Sequence, residues 1–260
     1  MLLKISIITV SYNQEKFIEE NIRSIIDQNY QNVEHIIIDA NSTDGTIDIL
    51  HKYNKNIDWI SETDNGQSEG LNKGFEKASG EIIGWINSDD RLAPGALHKV
   101  AQFFSKNPDE IAVVGDQALI NEEGEIIHII KSRAYNYDYL LNFAKSITQN
   151  SIFFRRDVFD MIGYLDESLN YTMDLDFFIR MTGIKKIPYL PDTLAEFRIH
   201  PNSKTAKGSY HFALESLKIR KKYDGKILSK AWQNDIYIII TQPLRRINWL
   251  RNLVQKIKRK

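Results

Sequence analysis

The first hundred residues alternate between two hydrophobic textures. Residues 4–10 (KISIITV) and 33–39 (VEHIIID) are short, nearly continuous apolar runs rich in β-branched residues, the pattern of strands covered on both faces. Between them apolar residues recur at three- and four-residue steps, and Ile18, Ile22, Ile25 and Ile26 predict a helix over residues 15–28. Residues 43–53 have helical character behind the turn Asn41-Ser42-Thr43-Asp44-Gly45. A strand at 57–61, a helix over 67–78 and a strand over 81–87 repeat the unit, and Pro94 is placed to open a helix over 95–106. Successive strand–helix units imply a parallel sheet with helices on both faces, and in such sheets ligands bind beyond the carboxyl ends of the strands. Those ends carry polar residues here: Ser11-Tyr12-Asn13, Asp39, residues 62–65 and residues 87–90.

Past Asn107-Pro108 the texture changes to α+β. Residues 111–120 and 126–131 flank the turn Asn121-Glu122-Glu123-Gly124 and predict a hairpin, followed by short strands at 151–154 and 186–190 with a helix over 174–182 between them. The 260 residues suit one large α/β domain with a C-terminal appendage, without internal repeats. The sequence has no cysteine, which excludes disulfides, thiolate metal sites and cysteine nucleophiles and fits a reducing, cytoplasmic setting. The start of the chain does not read as a secretion signal, and the apolar stretch 236–240 falls far short of the roughly 20 residues of a membrane span. Net charge is zero, yet residues 243–260 carry seven basic residues and no acid. With Leu244, Ile247, Leu250, Val254 and Ile257 at helical steps, this tail reads as a basic amphipathic helix. It suits peripheral contact with the inner face of an anionic membrane, or packing on the domain or on a second copy in a homo-oligomer. Nucleic acid is the poorer partner, since the rest of the chain is acidic and lacks a binding motif.

The clearest candidate chemistry lies in Asn87-Ser88-Asp89-Asp90, where a buried strand meets a loop. Adjacent carboxylates repel, which a shared hard cation such as Mg²⁺ or Mn²⁺ relieves; the plain alternative is a helix cap or turn. Gln67 and Asn72 lie near the start of the third helix, whose dipole favours an anionic diphosphate, though Asn72 reads equally as a solvated helix residue.

Seven segments decide between these readings. ITVSYNQEKFI (8–18), IIIDANSTDGT (36–46), SETDNGQSEGLNKGF (61–75), GEIIGWINSDD (80–90), QNSIFFRRDVFDMIGYLDESL (149–169), MDLDFFIRM (173–181) and FRIHPNS (197–203) resemble, in order, the family 2 glycosyltransferases. The resemblance implies a GT-A fold, a Rossmann-like α/β sandwich with a mainly parallel central sheet and C-terminal helices. Residues 1–223 would form the catalytic domain, with a nucleotide-sugar half (1–108) and an acceptor half (109–223), and 224–260 the basic helical tail.

It further implies that residues 87–90 stand for the family's DXD-like motif, with Asp90 the acid that ligates Mn²⁺ or Mg²⁺ and with Ser88 and Asp89 near the ribose or diphosphate. The ion would stabilise the departing diphosphate as a Lewis acid. Asp39 would accept from the uracil or ribose, and Tyr12 would stack on the base beside Val10 and Ser11; a turn acid and a core tyrosine are the plain alternatives. Asp174 matches the family's general base, although Met173 replaces the usual preceding acid, and Asp176 would point elsewhere on the helix. His200 matches a late histidine that reaches the metal or diphosphate. The reaction implied is inverting transfer from a nucleotide sugar, a UDP-sugar above all, to a saccharide or lipid-linked hydroxyl acceptor in cell-surface polysaccharide or glycolipid synthesis. A sugar nucleotidyltransferase would want a Gly-rich basic loop after the first strand, and a dinucleotide dehydrogenase G-x-G-x-x-G; both are absent. A silent nucleotide-sugar-binding subunit stays open because of Met173.

Overall fold

A computed structural model describes residues 2–244. The first half follows the predicted alternation: β1 (Ile5–Ser11), α1 (Ile18–Ile26), β2 (Val33–Asp39), α2 (Thr46–Lys52), β3 (Asp58–Ser61), α3 (Gln67–Lys77) and β4 (Ile82–Trp85). β3, β2, β1 and β4 lie side by side and all parallel, with Ser11, Asp39 and Ser61 aligned at their carboxyl ends. The near-continuous apolar runs have the burial they require: Ile5, Ile7 and Ile8 of β1 face two different cores, one above and one below the sheet.

The second half is β5 (Arg91–Leu92), α4 (Ala96–Lys106), β6 (Ala112–Ile120), β7 (Ile126–Ile130), α5 (Tyr137–Asn142), a 3₁₀ turn (Gln149–Ser151), β8 (Ile152–Arg155), α6 (Val158–Ile162), α7 (Met173–Ile184), β9 (Tyr189–Arg198), α8 (Lys204–Lys222) and α9 (Lys230–Leu244). The sheet continues from β4 through β8, β6 and β9 to β5, with the predicted hairpin strand β7 paired to β6. β8 runs antiparallel to both β4 and β6, whereas β9 is parallel to β6, so the wholly parallel part of the sheet belongs to the first half of the chain.

β9 is the main departure from expectation, ten residues long where only 186–190 read as a strand. Pro191-Asp192 looks like a strand breaker in sequence. The β6–β9 register shifts around Asp116, and an irregular ladder of this kind tolerates a proline that cannot donate. The extension delivers Arg198 and, just beyond it, His200 to the carboxyl edge of the sheet.

Residues 224–244 are not a detached tail. The buried Arg220 of α8 donates to Asp235 of α9 at 3.0 Å and to the carbonyls of Leu140, Leu141 and Ala144 at the end of α5, tying three helices together. The basic segment 243–260 lies outside the described residues, save the backbone that closes α9. Among the described residues no helix is long and apolar enough to cross a membrane. Arg220→Ala leaves Asp235 buried without its cation and three carbonyls without donors. It is expected to lower unfolding stability by about 3–5 kcal/mol, read from urea denaturation, with the double change Arg220→Met/Asp235→Leu costing less.

Candidate active site

The carboxyl ends of the parallel strands build one wall. Asp39 is fully buried and accepts from Ser42 N at 2.8 Å, Ser42 Oγ at 2.5 Å and Ser61 Oγ at 2.7 Å. Its carboxylate thus closes the turn after β2 and joins it to β3, the turn-acid arrangement. Asp44 likewise closes its own turn, accepting from Thr46 N and Glu15 N. Val10 lies inside β1 in register with Ile38, its side chain packed on the core. Tyr12 is the opposite of a core residue: it is 59% exposed at the end of β1, its ring free to meet a ligand. The left-handed Asn13 beside it accepts from Thr43 N at 2.8 Å, so the first two strand ends are cross-linked.

The acidic pair is divided by the fold. Asp90 is buried; its Oδ1 accepts from Arg198 N at 2.9 Å and its Oδ2 from Asn150 Nδ2 at 3.1 Å. Burial, with the Asp89 charge beside it, holds its carboxyl well above the usual range. Ser88 is buried too. Asp89 keeps the more accessible carboxylate, and its Oδ2 lies 3.0 Å from His200 Nε2. The expectation grouped His200 with Asp90. The structure instead brings His200 to Asp89, while each Asp90 oxygen accepts one hydrogen bond, from the peptide of β9 and from the 3₁₀ turn. The reason lies in geometry: consecutive side chains leave the chain in different directions, and only the one facing the loop after β9 meets the histidine.

Arg198 makes this arrangement rigid. It is 0% exposed, lies 4.8 Å from the Phe17 ring centroid, and donates to Asp89 O at 2.9 Å, Glu20 Oε2 at 2.6 Å, Asn121 O at 3.2 Å and Glu122 O at 2.7 Å. Phe17 also touches the His200 ring, centroid to centroid 4.9 Å. One guanidinium thereby fixes the Asp89 backbone, the hairpin turn and the start of α1 around the histidine.

A polar relay links this cluster to α7. Asn87 Oδ1 accepts from Trp85 Nε1 at 3.2 Å and Gln67 Nε2 at 3.0 Å, and Gln67 Oε1 accepts from Lys204 Nζ at 3.0 Å. Lys204, at the start of α8, is close enough to Asp174 to pull its pKa down. Burial nevertheless dominates and raises Asp174 to about 6, with Glu215 adding to the rise and the Leu175 N–H opposing it. Asp174 Oδ1 accepts from Leu175 N at 2.8 Å. Glu215 of α8 caps the approach to α7, accepting from Asn170 N, Tyr171 N and Thr172 N at 3.0, 2.7 and 2.8 Å. Asp176 does point elsewhere: it is buried and takes Arg180, Lys222 and Tyr223.

Asn72 is not at this edge in any useful sense. Its amide exchanges hydrogen bonds with Leu165 N and O at 3.0 and 3.1 Å and donates to Glu167 at 2.8 Å, clamping the 163–169 loop to α3. An asparagine one turn further into α3 than Gln67 faces that loop, so its donors and acceptor are consumed. Conversely Lys204, Arg198, Asn87 and Glu215 were missed as working residues. Arg198 lies inside the FRIHPNS segment and Asn87 opens the acidic quartet, signals that were available; nothing in the sequence marks Glu215.

With this geometry in view, the likeness to known proteins is direct. The model of the family "Glycosyl transferase family 2" matches residues 6–163. TuaG of Bacillus subtilis, named as a teichuronic acid biosynthesis glycosyltransferase, is 33% identical over 140 residues, covering 51% of this chain and 55% of that protein. An uncharacterized glycosyltransferase of Haemophilus influenzae is 28% identical over 235 residues, 84% of this chain and 72% of its own. The crystal structure of S. aureus TarS 1-349 in complex with UDP-GlcNAc superposes with a TM-score of 0.68 at 20% identity, covering 96% of this chain and 74% of that one. The chain belongs to glycosyl transferase family 2, and its fold is that of the GT-A-like glycosyltransferases. It spans just over half the length of TuaG and 64% of a Rickettsia typhi relative.

Arg198→Lys keeps the charge but cannot serve four acceptors from one planar group. It is expected to lower stability by about 2–4 kcal/mol and to loosen the Asp89–His200 contact, seen as a shifted His200 imidazole resonance in NMR.

Proposed function

We propose that the chain transfers a sugar from a UDP-sugar to an acceptor hydroxyl, with inversion and with a divalent cation, in the synthesis of cell-surface polysaccharide or glycolipid. The observation that carries the reading is the meeting of Asp89 and His200 at the carboxyl edge of a parallel sheet, on the side where α3 and α8 begin and Asp174 opens α7. TarS, solved with UDP-GlcNAc and with UDP, and TuaG, by its name, support the donor and the setting.

The donor set fits a cation shared with substrate. Asp89 Oδ2 and His200 Nε2, 3.0 Å apart, would hold Mn²⁺ or Mg²⁺. Among the described residues no cluster of three or more His, Cys, Asp or Glu side chains forms a metal site by itself. A hard six-coordinate ion with two protein donors takes its remaining ligands from diphosphate oxygens and water. When bound, the cation neutralises charge on the departing diphosphate.

The chain's own residues supply the rest. The N-terminus of α3, opened by Gly66 at positive φ, would offer backbone N–H groups to the diphosphate, and Lys204, bonded to Gln67 there, would add a cation. Tyr12 covers the base, while Asp39 shapes the pocket through Ser42 and Ser61 and keeps lone-pair capacity for the nucleoside. Asp174 takes the acceptor proton as the oxygen attacks the anomeric carbon, and a pKa of about 6 leaves it ionised yet basic near neutrality.

The base must be deprotonated to act, so kcat is expected to rise with pH through about 6 and to level above it. Asp174→Asn should lower kcat by about 10²- to 10⁴-fold with UDP affinity retained. Transfer unchanged in that variant would refute the base assignment, and metal-dependent UDP binding without turnover in the wild type would favour the silent-subunit reading.

Mn²⁺ alone is expected to bind weakly and Mn²⁺ with UDP tightly by calorimetry. Asp89→Ala should weaken the ternary complex by roughly 10- to 100-fold, the scale of one charged contact of about 1.5–3 kcal/mol. Asp90→Asn should act mainly on thermal stability; the reverse pattern would return the metal to Asp90.

A further inference from the structure

Away from the donor site, the junction of α5, α8 and α9 carries a surface that the proposed reaction does not use. A groove of about 460 Å³ is lined by Arg133, Asn136, Asp138, Tyr139, Phe143 and Lys230. Arg133 is held in place by the Tyr139 ring, 4.4 Å from its centroid, and Tyr139 is backed by the parallel ring of Tyr135. The one acid of the groove, Asp138, pairs with Lys226 at 3.4 Å, and among the described residues no carboxylate forms an ion pair with Arg133 or Lys230. The groove is therefore cationic, with a pre-oriented guanidinium.

Its rim is apolar. Ile227 and Leu228, at the tip of the α8–α9 turn, are 74% and 68% exposed, and Phe143 at the end of α5 is 43% exposed. The turn is well tied down: Gly225 N donates to Arg220 O at 2.7 Å, Lys226 N to Asn142 Oδ1 at 2.7 Å, and Gln233 Nε2 to Leu228 O at 2.6 Å. Leu228 adopts φ 69°, a left-handed conformation that a leucine takes only when its surroundings impose it. The fold thus holds two aliphatic side chains outward in water, Leu228 against its backbone preference as well. The same face continues along α9, where Lys230, Tyr237 and Ile240 recur at helical spacing and are exposed.

Aliphatic tips beside unpaired cations define the chemistry of the partner. A soluble acidic saccharide would use the cations and leave Ile227 and Leu228 in water. A second copy meeting this face about a two-fold axis would set Arg133, Lys226 and Lys230 against their own equivalents. A bilayer containing anionic phospholipids satisfies both halves, taking apolar side chains below the head groups and offering phosphates at their level. We propose that this surface docks the protein on such a bilayer, with Ile227, Leu228 and Phe143 entering the interface and Arg133 and Lys230 meeting lipid phosphates.

The test is co-sedimentation of the full chain with vesicles of phosphatidylcholine alone or mixed with phosphatidylglycerol. The wild type should bind the mixed vesicles and release in high salt. Ile227→Ser/Leu228→Ser and Arg133→Ala/Lys230→Ala should each partition roughly tenfold or more weakly. Circular dichroism and thermal unfolding check that both variants fold. Residues 245–260 are the same in every protein compared, so a difference reports this surface and not the basic end of the chain. Folded variants that bind like the wild type would overturn the proposal, as would a wild type that ignores anionic vesicles. So would binding of a soluble polyuronate that depends on Arg133 and Lys230 in a chain without vesicle binding, or salt-insensitive dimerisation lost in the Ile227/Leu228 variant.

Discussion

The buried guanidinium of Arg198 is the interaction on which the site depends. Charged groups leave water only when their hydrogen-bonding capacity is met, and this one is met by carbonyls from two loops and by the Glu20 carboxylate. The four acceptors come from three parts of the chain: α1, the loop after β4, and the turn between β6 and β7. Because β9 carries Arg198, those parts are registered against the last long strand of the sheet. Its backbone N–H at the same time engages Asp90. The two halves of the molecule, unlike in texture, are therefore joined at the point where the acidic pair sits.

That junction explains why two adjacent aspartates behave so differently. Asp90 is an internal strut whose charge is opposed by burial, whereas Asp89 is held by its carbonyl and leaves its carboxylate toward His200. Adjacent acids are commonly treated as one motif. Here one carboxylate is buried between two donors and the other is more accessible beside a histidine. Asp174 and Asp176 repeat the division on α7, where Asp176 is locked by Arg180, Lys222 and Tyr223 and burial holds the Asp174 carboxyl above the usual range.

The first half of the chain was legible in the sequence because its signals are local. Parallel strands buried on both faces read as apolar runs, and Asp39, Tyr12 and Asp89 follow their ends by position alone. The second half was less legible because its determinants are long-range. Pro191 disguised β9, whose continuation depends on a register shift in its neighbour β6 rather than on its own residues. Glu215 and Lys204 lie in a helix of ordinary surface composition, and only the tertiary packing of α8 gives them their partners, the segment leading into α7 for Glu215 and Gln67 of α3 for Lys204. Asn72 shows the converse: its place near the start of α3 suggested a ligand contact, and a loop nearly a hundred residues later claims its amide.

α8 has a geometric consequence of its own. It runs from Lys204, in contact with Gln67 beside the acidic quartet, to Lys222, a few residues before the aliphatic turn. At 1.5 Å per residue its 19 residues span roughly 28 Å. An internally hydrogen-bonded helix of that length has one end beside the acidic quartet and the other next to the outward tip. With the tip seated on a bilayer as proposed, the acidic quartet would stand up to one helix length from the lipid surface, a stand-off set by the number of residues in α8.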